Sequence, residues 1–98
     1  MSVFLYGEVT EQVIGAAFEV WKELGYGYLE KVYENALMVE LKLRGIHAVQ
    51  QYGIDVYYKG VLVGQYVADV LAESKVIVEL KAEREYNPKH EAQLLNYL

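Results

Sequence analysis

Three charged residues stand where charges are costly. In YVADVLAESKVIVELKAE, residues 66–83, Asp69 lies near the end of one apolar run, and Glu79 and Lys81 follow Val76-Ile77-Val78 in the next. The polar link Glu73-Ser74-Lys75 makes the two runs read as strands of a hairpin. Side chains at i and i+2 share one face of a strand, so Glu79 and Lys81 point one way, and Val76, Val78, Leu80 and Ala82 point the other way, into a core. With an odd link, Asp69 falls directly opposite Glu79, with Cβ atoms about 4.5–5.5 Å apart. An even link would turn Asp69 to the opposite face.

Two carboxylates at that separation repel each other, and a hard divalent cation such as Mg²⁺ or Mn²⁺ relieves the repulsion. An amine beside them can neutralise charge developing on a phosphoryl oxygen or orient an attacking water. Asp69, Glu79 and Lys81 would then be a minimal set for metal-assisted phosphodiester hydrolysis. The same residue types also suit the wet face of a one-sided antiparallel sheet, where a Glu–Lys pair needs no chemistry to explain it.

The elements that must position these side chains can be read from apolar spacing. From Glu8 to Leu24, Val9, Val13, Ile14, Ala16, Ala17, Val20, Trp21 and Leu24 follow a helical period, closed by Gly25-Tyr26-Gly27. A second helix is predicted from about Leu29 to Arg44, with Leu29, Val32, Tyr33, Ala36, Leu37, Val39 and Leu43 on one side and Glu40 intruding into that stripe. Gly45 stops it. The pattern then turns to strands over His47–Tyr58, Val61–Leu71 and Lys75–Ala82, with a hairpin turn at Lys59-Gly60. Asn87-Pro88 reads as a cap followed by proline in a first helical turn, which predicts a helix through Leu98. The expected order is α-α-β-β-β-α, an α/β (α+β) arrangement in a single domain spanning residues 1–98.

Composition narrows the function classes. The chain has 98 residues and a formal net charge of −5, with its nine Lys and Arg scattered, so it does not coat nucleic acid electrostatically; any such contact is local. No cysteine is present, which excludes disulfides and thiolate metal sites. No segment approaches the roughly 20 apolar residues of a membrane span, and the first residues do not read as a signal peptide. A cytoplasmic protein without membrane contact is the expectation. The ten tyrosines suit core edges and interfaces, and the open edges of a three-stranded sheet suggest a homodimer or higher homo-oligomer.

The D-x(9)-E-L-K pattern across a hairpin, with a helix before and after it, resembles the signature of the PD-(D/E)XK nuclease superfamily. The run Gly27-Tyr28-Leu29-Glu30-Lys31-Val32-Tyr33 is similar to the motif that names its GxxExxY group, as are VIGAAFEVWKELGYGYLEKVYENAL and HEAQLLNYL around it. This resemblance covers essentially the whole chain. It implies a restriction-endonuclease-like core whose C-terminal part is absent, since that group continues past Leu98, so that self-association or a longer chain would complete it. It further implies a divalent-metal-dependent nuclease acting on DNA, with Asp69 and Glu79 as metal ligands, Lys81 as the catalytic amine and Glu30 as an additional acidic ligand. Gln93 and Tyr97 resemble a Q-x-x-x-Y element on one side of the final helix, and Tyr33 is an accessory position of the motif. Each has a structural counterpart: Glu30 as a partner of the helix dipole, Tyr33 as a packed ring, Gln93 and Tyr97 as a polar pair at a core edge. A non-catalytic nucleic-acid-binding, protein-binding or oligomerisation module on the same fold is the alternative reading.

Overall fold

A computed structural model describes residues 7–80 and 93–96 of the chain, the last four by their backbone. Helix α1 spans Gly7–Leu24 and α2 spans Glu30–Leu43; strands follow at β1 Ala48–Tyr58, β2 Val61–Ala72, β3 Val76–Glu79 and β4 Gln93–Asn96. The strands form one antiparallel sheet in the order β1-β2-β3-β4. The fold class is thus α+β, with two helices on an antiparallel sheet. In place of the expected final helix, Gln93–Asn96 is extended and pairs with β3. A four-residue run of apolar and amide side chains carries no period that separates helix from strand, and pairing with β3 satisfies its backbone groups.

Glycines close the helices. Gly25, at φ +72°, follows α1, and its N–H donates to the Trp21 carbonyl at 2.8 Å. After α2, Gly45 at φ +75° donates to Lys42 O at 3.0 Å and Ile46 N donates to Leu41 O at 2.9 Å. That pair of bonds is a Schellman cap, whose left-handed residue is inexpensive only for glycine.

The helices pack on one face of the sheet. Val13, Ala16 and Val20 of α1 and Tyr33, Leu37 and Leu41 of α2 meet Val70, Ala72, Val76 and Val78 in one buried cluster. The buried stripe of α2 is therefore Tyr33, Leu37 and Leu41, whereas Leu29, Val32, Val39 and Leu43, expected beside them, face solvent. Glu40 lies on the flank of the helix, half-buried, and accepts from Arg44 Nε at 2.9 Å. Arg44 also reaches Gln12 Oε1 at 3.4 Å, and its guanidinium passes so close to Gly15 that a Cβ there would meet Nη1 at 2.9 Å.

Truncating Leu37, which is 1% exposed, to alanine is expected to destabilise the domain by about 2–5 kcal/mol, read as a lowered urea midpoint. Ser74 sits at φ +55°, so Ser74→Gly should raise that midpoint, corresponding to a stabilisation of up to about 1 kcal/mol.

Candidate metal site at the second hairpin

The link between β2 and β3 has three residues, Glu73, Ser74 and Lys75. Glu73 and Ser74 are both left-handed, at φ +52° and +55°, and Lys75 N closes the turn on Ala72 O at 3.0 Å. The strands that leave it pair Ala72 with Val76, Leu71 with Ile77 and Val70 with Val78. The paired register ends at Val70–Val78; carried one residue further, it would set Asp69 opposite Glu79. Because Val70, Ala72, Val76 and Val78 belong to the cluster beneath the helices, alternation places Asp69, Leu71, Ile77 and Glu79 on the other face. Leu71 and Ile77 are buried there in a second cluster with Ala68, so the floor beside the two acids is apolar.

Both carboxylates are half-buried. Asp69 Oδ2 accepts from the backbone N–H of Leu80 at 2.8 Å, a bond that crosses the hairpin just beyond Glu79 and fixes the carboxylate. Glu79 Oε1 is withdrawn from solvent. β4 carries the ladder outward, with Gln93 opposite Glu79. The position predicted to lie on a helix four residues before Tyr97 is thus the strand neighbour of an acid. Lys81 and Tyr97 lie outside the described residues.

The other sequence-predicted residues are placed differently. Glu30 opens α2 and is exposed; among the described residues no group of three or more His, Asp or Glu side chains is drawn together, so Glu30 does not join Asp69 and Glu79 in a single triad. Tyr33 is 7% exposed; its hydroxyl donates to the Gly25 carbonyl at 2.7 Å and receives the Tyr28 N–H at 3.3 Å, tying the inter-helix loop to α2. Its ring also stands against those of Trp21 and Tyr28, at centroid distances of 6.0 and 6.1 Å.

The structure brings forward one acid that the sequence reading passed over. Glu34 is 4% exposed in the seam between α2 and the sheet. Its Oε2 accepts from Lys31 Nζ at 2.9 Å and Gln50 Nε2 at 2.7 Å, and its Oε1 from Gln51 Nε2 at 3.0 Å. Gln51 has φ +52° in mid-strand and falls between the pairs Gln50–Val70 and Tyr52–Ala68, at the level of Asp69. Glu34 therefore anchors the kink of β1 that passes beside Asp69. Its spacing with Leu37 and Leu41, at i, i+3 and i+7, is the signal that could have found it.

A family model described as the PD-(D/E)XK nuclease superfamily matches residues 7–98. The chain belongs to that superfamily. No curated protein and no solved structure gives a significant match to it.

The two glutamates of α2 separate in a stability experiment. Glu34→Ala removes the acceptor of three side-chain donors in a buried seam and should cost about 1–3 kcal/mol. Glu30→Ala, at an exposed first turn, should cost less than about 1 kcal/mol. Urea titration of the two variants checks the ranking.

Proposed function

We propose that this member of the PD-(D/E)XK nuclease superfamily is a divalent-metal-dependent nuclease that hydrolyses phosphodiester bonds in DNA, using Asp69, Glu79 and Lys81. The observation that supports the reading is the register of the second hairpin, Val70 opposite Val78, which carried one residue further would set Asp69 beside Glu79 on the face turned away from the helices. Nucleases of this superfamily typically use divalent metals, and the donor set here fits one. Mg²⁺ takes one or two carboxylates and completes its shell with water and substrate phosphate, so a pair of acids suffices without Glu30.

A bound metal would polarise the phosphoryl oxygen and generate hydroxide near neutral pH. The chain's own residues prepare the place for this. The Leu80 N–H holds Asp69 in one orientation, so that little side-chain freedom remains to be lost when a ligand arrives. The apolar floor of Leu71 and Ile77 lowers the local dielectric and strengthens every charge interaction above it. Lys81, two residues past Glu79, supplies the positive charge that meets the developing phosphoryl oxygen. Glu34 acts one step removed: through Gln51 it positions the β1 segment beside Asp69. The net charge of −5 is compatible with a DNA substrate because a metal brings the positive charge to the phosphate that the protein surface lacks.

The test is incubation with single- and double-stranded DNA and with RNA in Mg²⁺ or Mn²⁺, for the wild type and for Asp69→Asn, Glu79→Gln and Lys81→Ala. Each variant should lose about a hundredfold or more of the cleavage rate, with DNA cut in preference to RNA. Full-rate cleavage by Glu79→Gln would refute the assignment. A calorimetric titration in which millimolar Mn²⁺ gives no heat with the wild type would favour the non-catalytic module instead.

A further inference from the structure

The β1–β2 hairpin outruns the rest of the fold. Its inner end is held under the helices through Ala48, Val70 and Ala72. From Ala68 to Val61 the ribbon extends another seven residues, about 23 Å at strand rise, which fits the longest dimension of 44 Å. This arm turns tightly at Lys59 and Gly60, both left-handed at φ +50° and +81°.

The arm is apolar where a solvated ribbon should be polar. Val56, Tyr58 and Val61 are each 45–63% exposed, and the pairing of Tyr58 with Val61 puts all three on one face of the ribbon. Scaled to the size of such side chains, they leave roughly 300 Å² of apolar surface in water on that face, the size of the largest patch on an ordinary monomer, roughly 300–600 Å², which is often functional. Tyr57, Val63 and Val67, each 54–61% exposed, add apolar surface elsewhere on the arm. From Gly53 to Val67 the charges are Asp55 and Lys59 alone, and Lys59 Nζ stands over the Tyr58 ring at 5.3 Å. A surface so poor in cations offers no footing for a phosphate backbone. β1 is also the outer strand of the sheet, and its eleven residues hold one carboxylate and no proline to block a further strand.

We propose that the arm is a dimerisation element whose occupant is the same arm of a second copy of this chain, related by a two-fold axis. A patch nearly free of charge is complementary to itself, as an isologous contact requires. The edge of β1, open among the described residues, gives the contact a direction and adds backbone pairing to the apolar face.

Sedimentation velocity of the full chain across micromolar concentrations tests this. The wild type should sediment at twice the 11.2 kDa chain mass, and Tyr58→Lys with Val63→Lys should weaken association by about tenfold or more with an unchanged far-ultraviolet circular dichroism spectrum. A second measurement avoids any question of folding. The chain has no cysteine, so Val61→Cys on the arm and Val39→Cys on α2, exposed to 62% and 61%, are matched reporters. Disulfide-linked dimer should form several-fold faster with Val61→Cys. A wild type that stays at chain mass, a lysine variant that remains dimeric, or equal crosslinking at the two positions would overturn the proposal. So would a monomer that binds neutral lipid vesicles through the arm.

Discussion

The parity of one short loop governs what this chain can do. Side chains in a strand alternate with a period of two, so a slip of one residue would send Asp69 into the cluster beneath the helices and bring Val70 out. Three residues between Ala72 and Val76 hold the register that prevents this. The loop is expensive in itself, because two residues other than glycine stand in the left-handed region at about 1–2 kcal/mol each. It is held by bonds to His47, the residue before β1: Glu73 N donates to the His47 carbonyl at 2.8 Å, and His47 N donates to Glu73 Oε2 at 2.6 Å. Hydrogen bonds to a charged carboxylate contribute about 1.5–3 kcal/mol, which offsets part of the strain. Glu73 is thus both the strained residue and the source of the restraint, and replacing it with glycine would relieve one and remove the other.

The helices act through the face they cover. By burying Val70, Ala72, Val76 and Val78 they decide which side of the hairpin is core, and the acids inherit the other side. The seam between α2 and β1 is polar, with Glu34 held by Lys31, Gln50 and Gln51, and Gln50 also bonded to Asn35 at 2.9 Å. A buried carboxylate is costly unless its lone pairs are met, and here three donors meet them. Nothing in helix packing alone requires an acid at that point. What the acid does is fix Gln51, whose positive φ distorts β1 where it passes Asp69.

Much of this was legible in the residues, and the failures have physical causes. Both helix boundaries fall within a residue of the expected ones because glycine left-handed caps and an abrupt change of period mark them. The Lys59-Gly60 turn followed from turn chemistry; the polar link Glu73-Ser74-Lys75 marked the second turn, while its odd length stood as a condition that the register meets. The buried side of α2 followed only in part: Tyr33 and Leu37 are buried as expected and Leu41 joins them, but the expected stripe also took in the exposed Leu29, Val32, Val39 and Leu43, because periodicity cannot tell which of two overlapping apolar faces meets the sheet. That width made Glu40 look like the intruder, when the acid within the buried stripe is Glu34 and Glu40 is met by Arg44 on the same helix. The last segment misled for a related reason: the Asn87-Pro88 signal is local, whereas the strand at Gln93–Asn96 arises from pairing with β3, a contact distant in sequence.

β2 shows how one strand can serve several ends without conflict. Its last three residues, Val70, Leu71 and Ala72, are buried on alternate faces, two under the helices and one in the opposite cluster. Asp69 comes next, at the first position where burial relaxes, and a carboxylate can survive there because Leu80 N–H meets it and part of it reaches solvent. Before Ala68 the strand leaves the layer of helices altogether, and its apolar residues lie open in the arm. The position of the acid is set by this gradient. Two residues nearer the loop it would take the place of Leu71 and be buried, and two residues nearer the arm it would lie beyond the reach of β3, which is four residues long.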